Sequence, residues 1–234
     1  MEIFFLVNFF TNALPWAGEL LNFSRLNKER RPIIPRKTVY RLSIYLRGLA
    51  RLKEKGLTAV SSEEWAHAAG VKPTQLRKDL AFLGTLGKRG FGYDVAELTR
   101  QITAELGTSR LQPVILVGVG NLGLSLLSYQ GFEKEGFELV AGFDSDPRRR
   151  RGRRIPQPIL GMDELARFVG ERAVRMAILT VPAAAAQEVA NTLVESGIMG
   201  ILNFSPIVLT VPEDVMVNNV NVAIELENLS YFIQ

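Results

Sequence analysis

The chain has 234 residues, enough for two modest domains, and its 47% apolar and 22% charged side chains are those of an ordinary globular protein. It holds no cysteine and one histidine, which excludes disulfides, thiolate metal sites, cysteine nucleophiles and histidine-based metal clusters, and suits a reducing cytoplasm. The net charge of +4 is uneven: residues 1–110 carry 18 basic and 10 acidic side chains, a surplus of +8, whereas residues 111–234 carry 10 and 14, a deficit of −4, so the first half suits a polyanion.

Residues 1–34 open on MEIFFLVNFF. Asn8 interrupts this run, Glu2 stands where a signal peptide carries cations, and the run is too short to span a bilayer. It reads as a poorly ordered extension or an unused upstream start, with a peripheral membrane anchor as the alternative.

Residues 35–110 read as a winged helix-turn-helix domain, its helix-turn-helix at about 42–81. Val39, Leu42, Tyr45, Leu46, Leu49 and Leu52 recur at helical spacing, with Arg36, Lys37, Arg41, Arg47, Arg51 and Lys53 on the other faces. Gly56 ends this helix, and Ser61 with Glu64 forms a capping box for a short second one that stops at Gly70. His67 lies in that polar segment and reads as a solvated surface histidine. Pro73 opens a third helix with Leu76, Leu80 and Leu83 as its apolar stripe. Thr74, Gln75, Arg77 and Lys78 form its exposed side near the N-terminus, where such helices meet base edges: arginine and lysine suit guanine or phosphate, glutamine suits adenine. A solvated helix face is the plainer alternative. The following stretch favours DNA: Gly84 to Tyr93 is a glycine-punctuated hairpin with Lys88, Arg89 and Gly90 at its tip, a basic wing.

A helix from Val95 to Leu106 leads through Gly107, Thr108 and Ser109 to residues 111–220, which read as a Rossmann-type, doubly wound parallel sheet. The run Val114–Val117, the turn Gly118-Val119-Gly120-Asn121-Leu122-Gly123, a helical stretch through Tyr129 and a second run Phe137–Phe143 ending in Asp144 are strand, glycine turn, helix, strand and acid. Gly118 permits the tight turn, Gly120 lets the backbone approach a pyrophosphate, and Gly123 lets helix and strand pack closely. Free N–H groups of the first helical turn face the phosphate, and Asp144 can accept from both ribose hydroxyls. The pattern predicts a nicotinamide or flavin dinucleotide; a Rossmann-like core without ligand is the alternative.

After Pro147 come six arginines in seven positions, Arg148–Arg151, Arg153 and Arg154. They could neutralise cofactor phosphates, touch a DNA backbone or simply be solvated. A short helix around Asp163–Val169, a strand Met176–Val181, a helix Ala184–Ser196 and a strand Ile198–Phe204 follow. Thr180, Val181 and Pro182, and the loop from Asn203, stand at strand C-termini, where parallel sheets bind ligands. Residues 221–234 read as an amphipathic helix with Val222, Leu226, Leu229 and Phe232 on one side, a face that docks on its own domain or on a partner subunit.

The ordered motifs YLRGLARL, SSEEWAHAAGV, QLRKDLAFLGTLGKRGFGY, VGVGNLG, SYQGF, FDSDP, ILTVPA, NFSPIVL and ELENLSYF resemble the Rex family of redox-sensing bacterial repressors over residues 35–234. The resemblance implies an α/β homodimer whose C-terminal helix is exchanged between subunits. It also implies binding to an inverted-repeat, double-stranded DNA operator when NAD+ prevails, and release by NADH as the NADH/NAD+ ratio rises. Carried over by motif, Tyr129 matches a tyrosine near the nicotinamide and Arg47 an arginine linking the two domains. Asn221 stands where that arginine's aspartate partner is found in studied members. These three are the expected switch. A dehydrogenase is the competing reading; it lacks a substrate domain, and the sole histidine falls in the DNA-binding half. The expectation is therefore a cytoplasmic repressor and not an enzyme, without metal or membrane.

Overall fold

The computed structural model describes residues 34–84, 92–148 and 155–233. The extension at 1–33, the wing tip Lys88, Arg89 and Gly90, and the arginines from 149 to 154 lie outside the described residues. The chain divides into two compact units, Met1–Ile102 and Thr103–Gln234.

The first unit begins with α1 (Arg36–Glu54) and β1 (Ala59–Val60), followed by α2 (Ser62–Ala69), α3 (Pro73–Leu80) and a 3-10 turn, Ala81–Leu83. β2 (Tyr93–Asp94) pairs antiparallel with β1 and leads into α4 (Val95–Glu105). The division between the units falls within α4, eight residues before 110, and Val95, Leu98 and Ile102, on the first unit's side of it, are buried. α1 buries Thr38, Leu42, Tyr45, Gly48, Leu49 and Leu52. Val39 is exposed, so the apolar stripe turns one position from the expected one and Gly48 joins it. A Cβ on Gly48 would stand 3.3 Å from Ala69, so glycine brings α1 close to α2. Trp65 of α2 is fully buried and donates from Nε1 to the carbonyl of Tyr45 at 2.9 Å. Its ring meets those of Tyr45 and Tyr93 edge-on.

Local chemistry sets the helix ends. Ser61 and Glu64 exchange both bonds of a capping box, Gly70 closes α2 in the left-handed conformation, and Pro73 is the first residue of α3. Gly92 has φ +75°, and a Cβ there would lie 2.6 Å from the carbonyl oxygen of Val60.

The second unit is a six-stranded parallel sheet: β3 (Gln112–Val117), β4 (Phe137–Asp144), β5 (Ile159–Gly161), β6 (Met176–Leu179), β7 (Gly200–Asn203) and β8 (Met216–Asn219). Their spatial order is β5-β4-β3-β6-β7-β8, so the chain winds outward from β3 and then returns to its other side. α5 (Asn121–Leu127), α6 (Leu165–Arg172) and α7 (Ala183–Glu195) cover the faces, and α8 (Val222–Phe232) follows β8. β3 shows why a sheet covered on both sides reads as a continuous apolar run. Ile115 and Val117 join the core formed with α6 and α7, while Val114 and Leu116 join the core formed with Leu124 and Leu127 of α5.

β5 and β8 were not expected from the sequence. The expected apolar side of α8, Val222, Leu226, Leu229 and Phe232, is exposed, as are Ile224, Tyr231 and Ile233, so apolar side chains surround much of the helix. Among the described residues no helix is long and apolar enough to cross a membrane, and no group of three His, Asp or Glu side chains could hold a metal ion.

Candidate functional site

The reversal of winding between β3 and β6 opens a crevice at their C-terminal ends, the position where doubly wound sheets bind ligands. A cleft of about 580 Å³ occupies it, within the usual range of about 300–1,000 Å³ for small-molecule sites. Val117, Gly118, Gly120, Asp144, Ser145, Met162, Thr180, Val181, Pro182, Ala185 and Val189 form its walls, so the cleft is mainly apolar with few polar groups.

The three glycines of the turn have three separate reasons. Gly118 has φ +99°, and a Cβ on it would lie 2.7 Å from the backbone of Thr180. A Cβ on Gly123 would collide with the carbonyl oxygen of Gly118. Gly120 differs from both: its φ of −77° suits any residue, and a Cβ there would meet no protein atom within 4 Å. Neither backbone nor packing requires glycine at 120, yet it lines the cleft. That is a cradle a ligand would fill, and it fits a dinucleotide pyrophosphate lying against the backbone.

The turn is held from three sides. Gly118 donates its N–H to the carbonyl of Phe143 at 2.8 Å, and the Thr180 hydroxyl donates to the carbonyl of Gly118 at 2.7 Å. Asp144 is buried; its Oδ2 accepts the Val119 N–H at 2.7 Å and its Oδ1 the Asp146 N–H at 2.9 Å. The sequence has this carboxylate accept from both ribose hydroxyls. In the structure each oxygen also holds a backbone donor, so Asp144 shapes the turn as well as lining the cleft.

Other expected residues sit apart from these walls. Val119 is fully buried, while Leu122 is exposed at the start of α5 beside Asn121. Tyr129 lies beyond the end of α5, 60% exposed, with its ring edge-on to Phe132 and over Gly131. Asn203 is turned away from the cleft: it is fully buried, donates to Ile207 O and Asn219 Oδ1, and accepts the Ser205 N–H. Ser205 in turn donates to the carbonyl of Val181 at 2.7 Å, so Asn203 supports a cleft wall from behind. Asn221, expected to meet Arg47, is the N-cap of α8 and accepts from Ala223 and Ile224. Arg47 is exposed on α1 in the other unit. Val117, Ser145, Met162, Ala185 and Val189 were missed as wall residues; Met162 follows β5, a strand too short to give a signal.

In the first unit, Thr74, Arg77 and Lys78 are exposed on α3 as expected. Arg77 donates to Ser62 Oγ at 2.8 Å and to Glu63 Oε1 at 3.0 Å. Gln75 is half-buried, because its amide donates to Asp79, a residue the sequence did not single out. Burial pushes the Asp79 carboxyl up, but hydrogen bonds from Arg41, Tyr45, Thr38 and Gln75 outweigh it and hold the group at about 2. Burial, then the bond to Asp79, raises the Tyr45 hydroxyl above its usual range.

Comparison with known proteins adds to this geometry. Residues 33–81 match the family described as putative DNA-binding protein N-terminus, and residues 109–207 match the CoA binding domain family. A redox-sensing transcriptional repressor Rex of Desulforamulus reducens is 44% identical over 198 residues, covering 85% of this chain and 94% of that protein. The protein of the same name from Streptomyces coelicolor is 46% identical, covering 85% and 77%. A crystal structure of RSP with β-NAD+ and operator DNA is similar at TM-score 0.79 and 35% identity, covering 86% of this chain and 93% of that one. RSP with β-NADH gives 0.75 and 34%, covering 86% and 95%.

Proposed function

The chain belongs to the Rex family of redox-sensing transcriptional repressors, and on that premise we propose that it represses transcription by binding an inverted-repeat operator as a homodimer and lets go when NADH displaces NAD+. It is a repressor and not an enzyme. Gly120 carries the cofactor half of this reading: neither its φ nor packing against the protein calls for glycine, and it lines the cleft.

In this reading the pyrophosphate lies against the turn from Gly118 through Val119, Gly120, Asn121 and Leu122 to Gly123. Asp144 and Ser145 stand beside it at the end of β4, and Thr180, Val181 and Pro182 close the side toward β6. Asn203 acts through Ser205 and the Val181 wall. Tyr129 serves the nicotinamide end. NADH and NAD+ differ by one hydride, so the bound nucleotide itself supplies the signal, a neutral or a charged ring. Arg47 and Asn221 complete the switch. Thr74, Gln75, Arg77 and Lys78 meet the operator from α3, and Lys88, Arg89 and Gly90 from the wing, the latter mainly as salt-sensitive backbone contacts. The exposed apolar side chains of α8 are the surface a second subunit would cover. The cytoplasm is the compartment where the NADH/NAD+ ratio and the operator meet.

A ligand shifts a two-state equilibrium only by its differential affinity, and a swing from 1:99 to 99:1 needs a factor of about 10⁴. A mobility-shift titration on an inverted-repeat duplex tests this, with NADH, NAD+ and coenzyme A compared. NADH is expected to dissolve the complex, NAD+ to leave it intact, and coenzyme A to do nothing. Equal DNA binding at saturating NADH and NAD+ overturns the redox-sensor reading.

A further inference from the structure

α3 carries a buried charge that the reading above leaves without a role. Asp79 is 2% exposed. Its Oδ1 accepts from Thr38 Oγ1 at 3.1 Å, Arg41 Nη2 at 2.8 Å and Gln75 Nε2 at 3.1 Å. Its Oδ2 accepts from Arg41 Nε at 2.5 Å and the Tyr45 hydroxyl at 2.6 Å. The forked arginine and two hydroxyls, all from α1, already neutralise and solvate this carboxylate. The bond from Gln75, one turn earlier on α3, is not needed for that. Its effect falls on Gln75.

A glutamine amide in water turns freely and offers either edge. With one N–H committed to Asp79, one N–H and the carbonyl remain, and those two groups together read the N6 and N7 edge of adenine. The reversed amide would set its oxygen against the carboxylate, acceptor against acceptor. Gln75 also lies in the first turn of α3, the part of a reading helix that meets base edges.

We propose that Asp79 is a positioning residue for operator choice, which fixes the amide of Gln75 in the orientation that selects an A·T pair. The proposal rests on α3 being the reading helix of a DNA-binding protein. Asp79 also ties α3 to α1, so the test must separate sequence choice from plain stability.

The full-length protein first selects its preferred inverted repeat from a random duplex pool. Affinities are then measured for that duplex and for each single base-pair change in one half-site, for the parent, Gln75→Ala, Asp79→Asn and the double variant. A bidentate contact discriminates by about 5- to 150-fold. Both single variants are expected to lose that factor at the same A·T pair, with the salt slope unchanged and the double variant no worse than Gln75→Ala. Uniform weakening on all duplexes by Asp79→Asn overturns the proposal, as does an equal loss of discrimination with and without Gln75. The Gln75 side-chain amide in the parent, assigned by its loss in Gln75→Ala, gives a readout that survives if Asp79→Asn fails to fold. Amide protons shifted and slowly exchanging support the bond, whereas signals of a freely solvated glutamine overturn it. A parent protein that selects no sequence removes the DNA reading itself, a result distinct from either.

Discussion

Asn221 accepts the backbone N–H of Ala223 at 3.0 Å, so the side chain expected to carry the switch contact also caps the final helix. A cap of this kind is worth about 1 kcal/mol. Asn221→Asp keeps the cap and adds a charge that, if the proposed switch holds, pairs with Arg47. It is expected to shift the NADH concentration that releases DNA, and Arg47→Ala should cancel that shift. Asn221→Ser keeps the cap without the charge, so it should lack the Arg47-dependent part of the shift seen with Asn221→Asp. An equal shift by Asn221→Asp with and without Arg47 would mean the two residues are not coupled.

Gly120 should separate stability from binding. Alanine suits its φ and meets open space, and the gain of about 0.4–1 kcal/mol from a stiffer unfolded chain is offset by the N-cap's preference for glycine over alanine, so Gly120→Ala should leave the melting temperature nearly unchanged. Gly120→Val should behave alike in stability while NADH binding weakens further, since the larger side chain fills the cradle. Calorimetric titration and thermal melts on the same samples read both. Unchanged NADH affinity in Gly120→Val would remove the pyrophosphate from this position.

Asp144 shapes the turn and, in the proposed function, faces the ribose; two substitutions divide these roles. Asp144→Asn keeps an oxygen for the Val119 N–H and removes the charge that repels a 2′-phosphate, so NADPH should gain on NADH. Asp144→Ala removes the anchor too and should weaken both nucleotides. NADPH binding the parent as tightly as NADH would contradict the role at the ribose.

The Asp79 cluster predicts acid sensitivity in the first unit. The folded carboxyl sits at about 2 against an ordinary 3.8, a depressed value, so its stabilisation is complete above about pH 4 and is lost as pH falls toward 2. Arg41 and Tyr45 are both pushed upward and keep their protonation in this window. The amount is on the order of 2 kcal/mol, from about 1.4 kcal/mol per pH unit. Urea unfolding followed by Trp65 fluorescence in a Trp16→Phe background measures it. The gap between parent and Asp79→Asn should narrow from pH 5 to pH 2.5; a constant gap would place the carboxyl's titration elsewhere.

What the sequence revealed was what local chemistry fixes. The capping box of Ser61 and Glu64, the first-turn Pro73 and the glycine turn each depend on residues a few positions apart, and each is where it was expected. β1, β2, β5 and β8 have two to four residues and exist through partners far along the chain, so no periodicity announces them. Asp79 was hidden for the same reason, since its partners Thr38, Arg41 and Tyr45 lie 41, 38 and 34 positions away. Asn203 looked like a ligand contact because polar residues at strand ends usually face the crevice; three internal hydrogen bonds turn it inward.

The three-sided hold on the glycine turn bears on timing. Phe143, Thr180 and Asp144 keep the turn in shape, so an arriving nucleotide finds its cradle already made and spends little on ordering it. Among related ligands of one site, differences in affinity then lie chiefly in how fast each leaves. The protein's memory of the last nucleotide it held is the residence time of that nucleotide, and the interval between a change in the cell's reducing state and a change at the promoter can be no shorter.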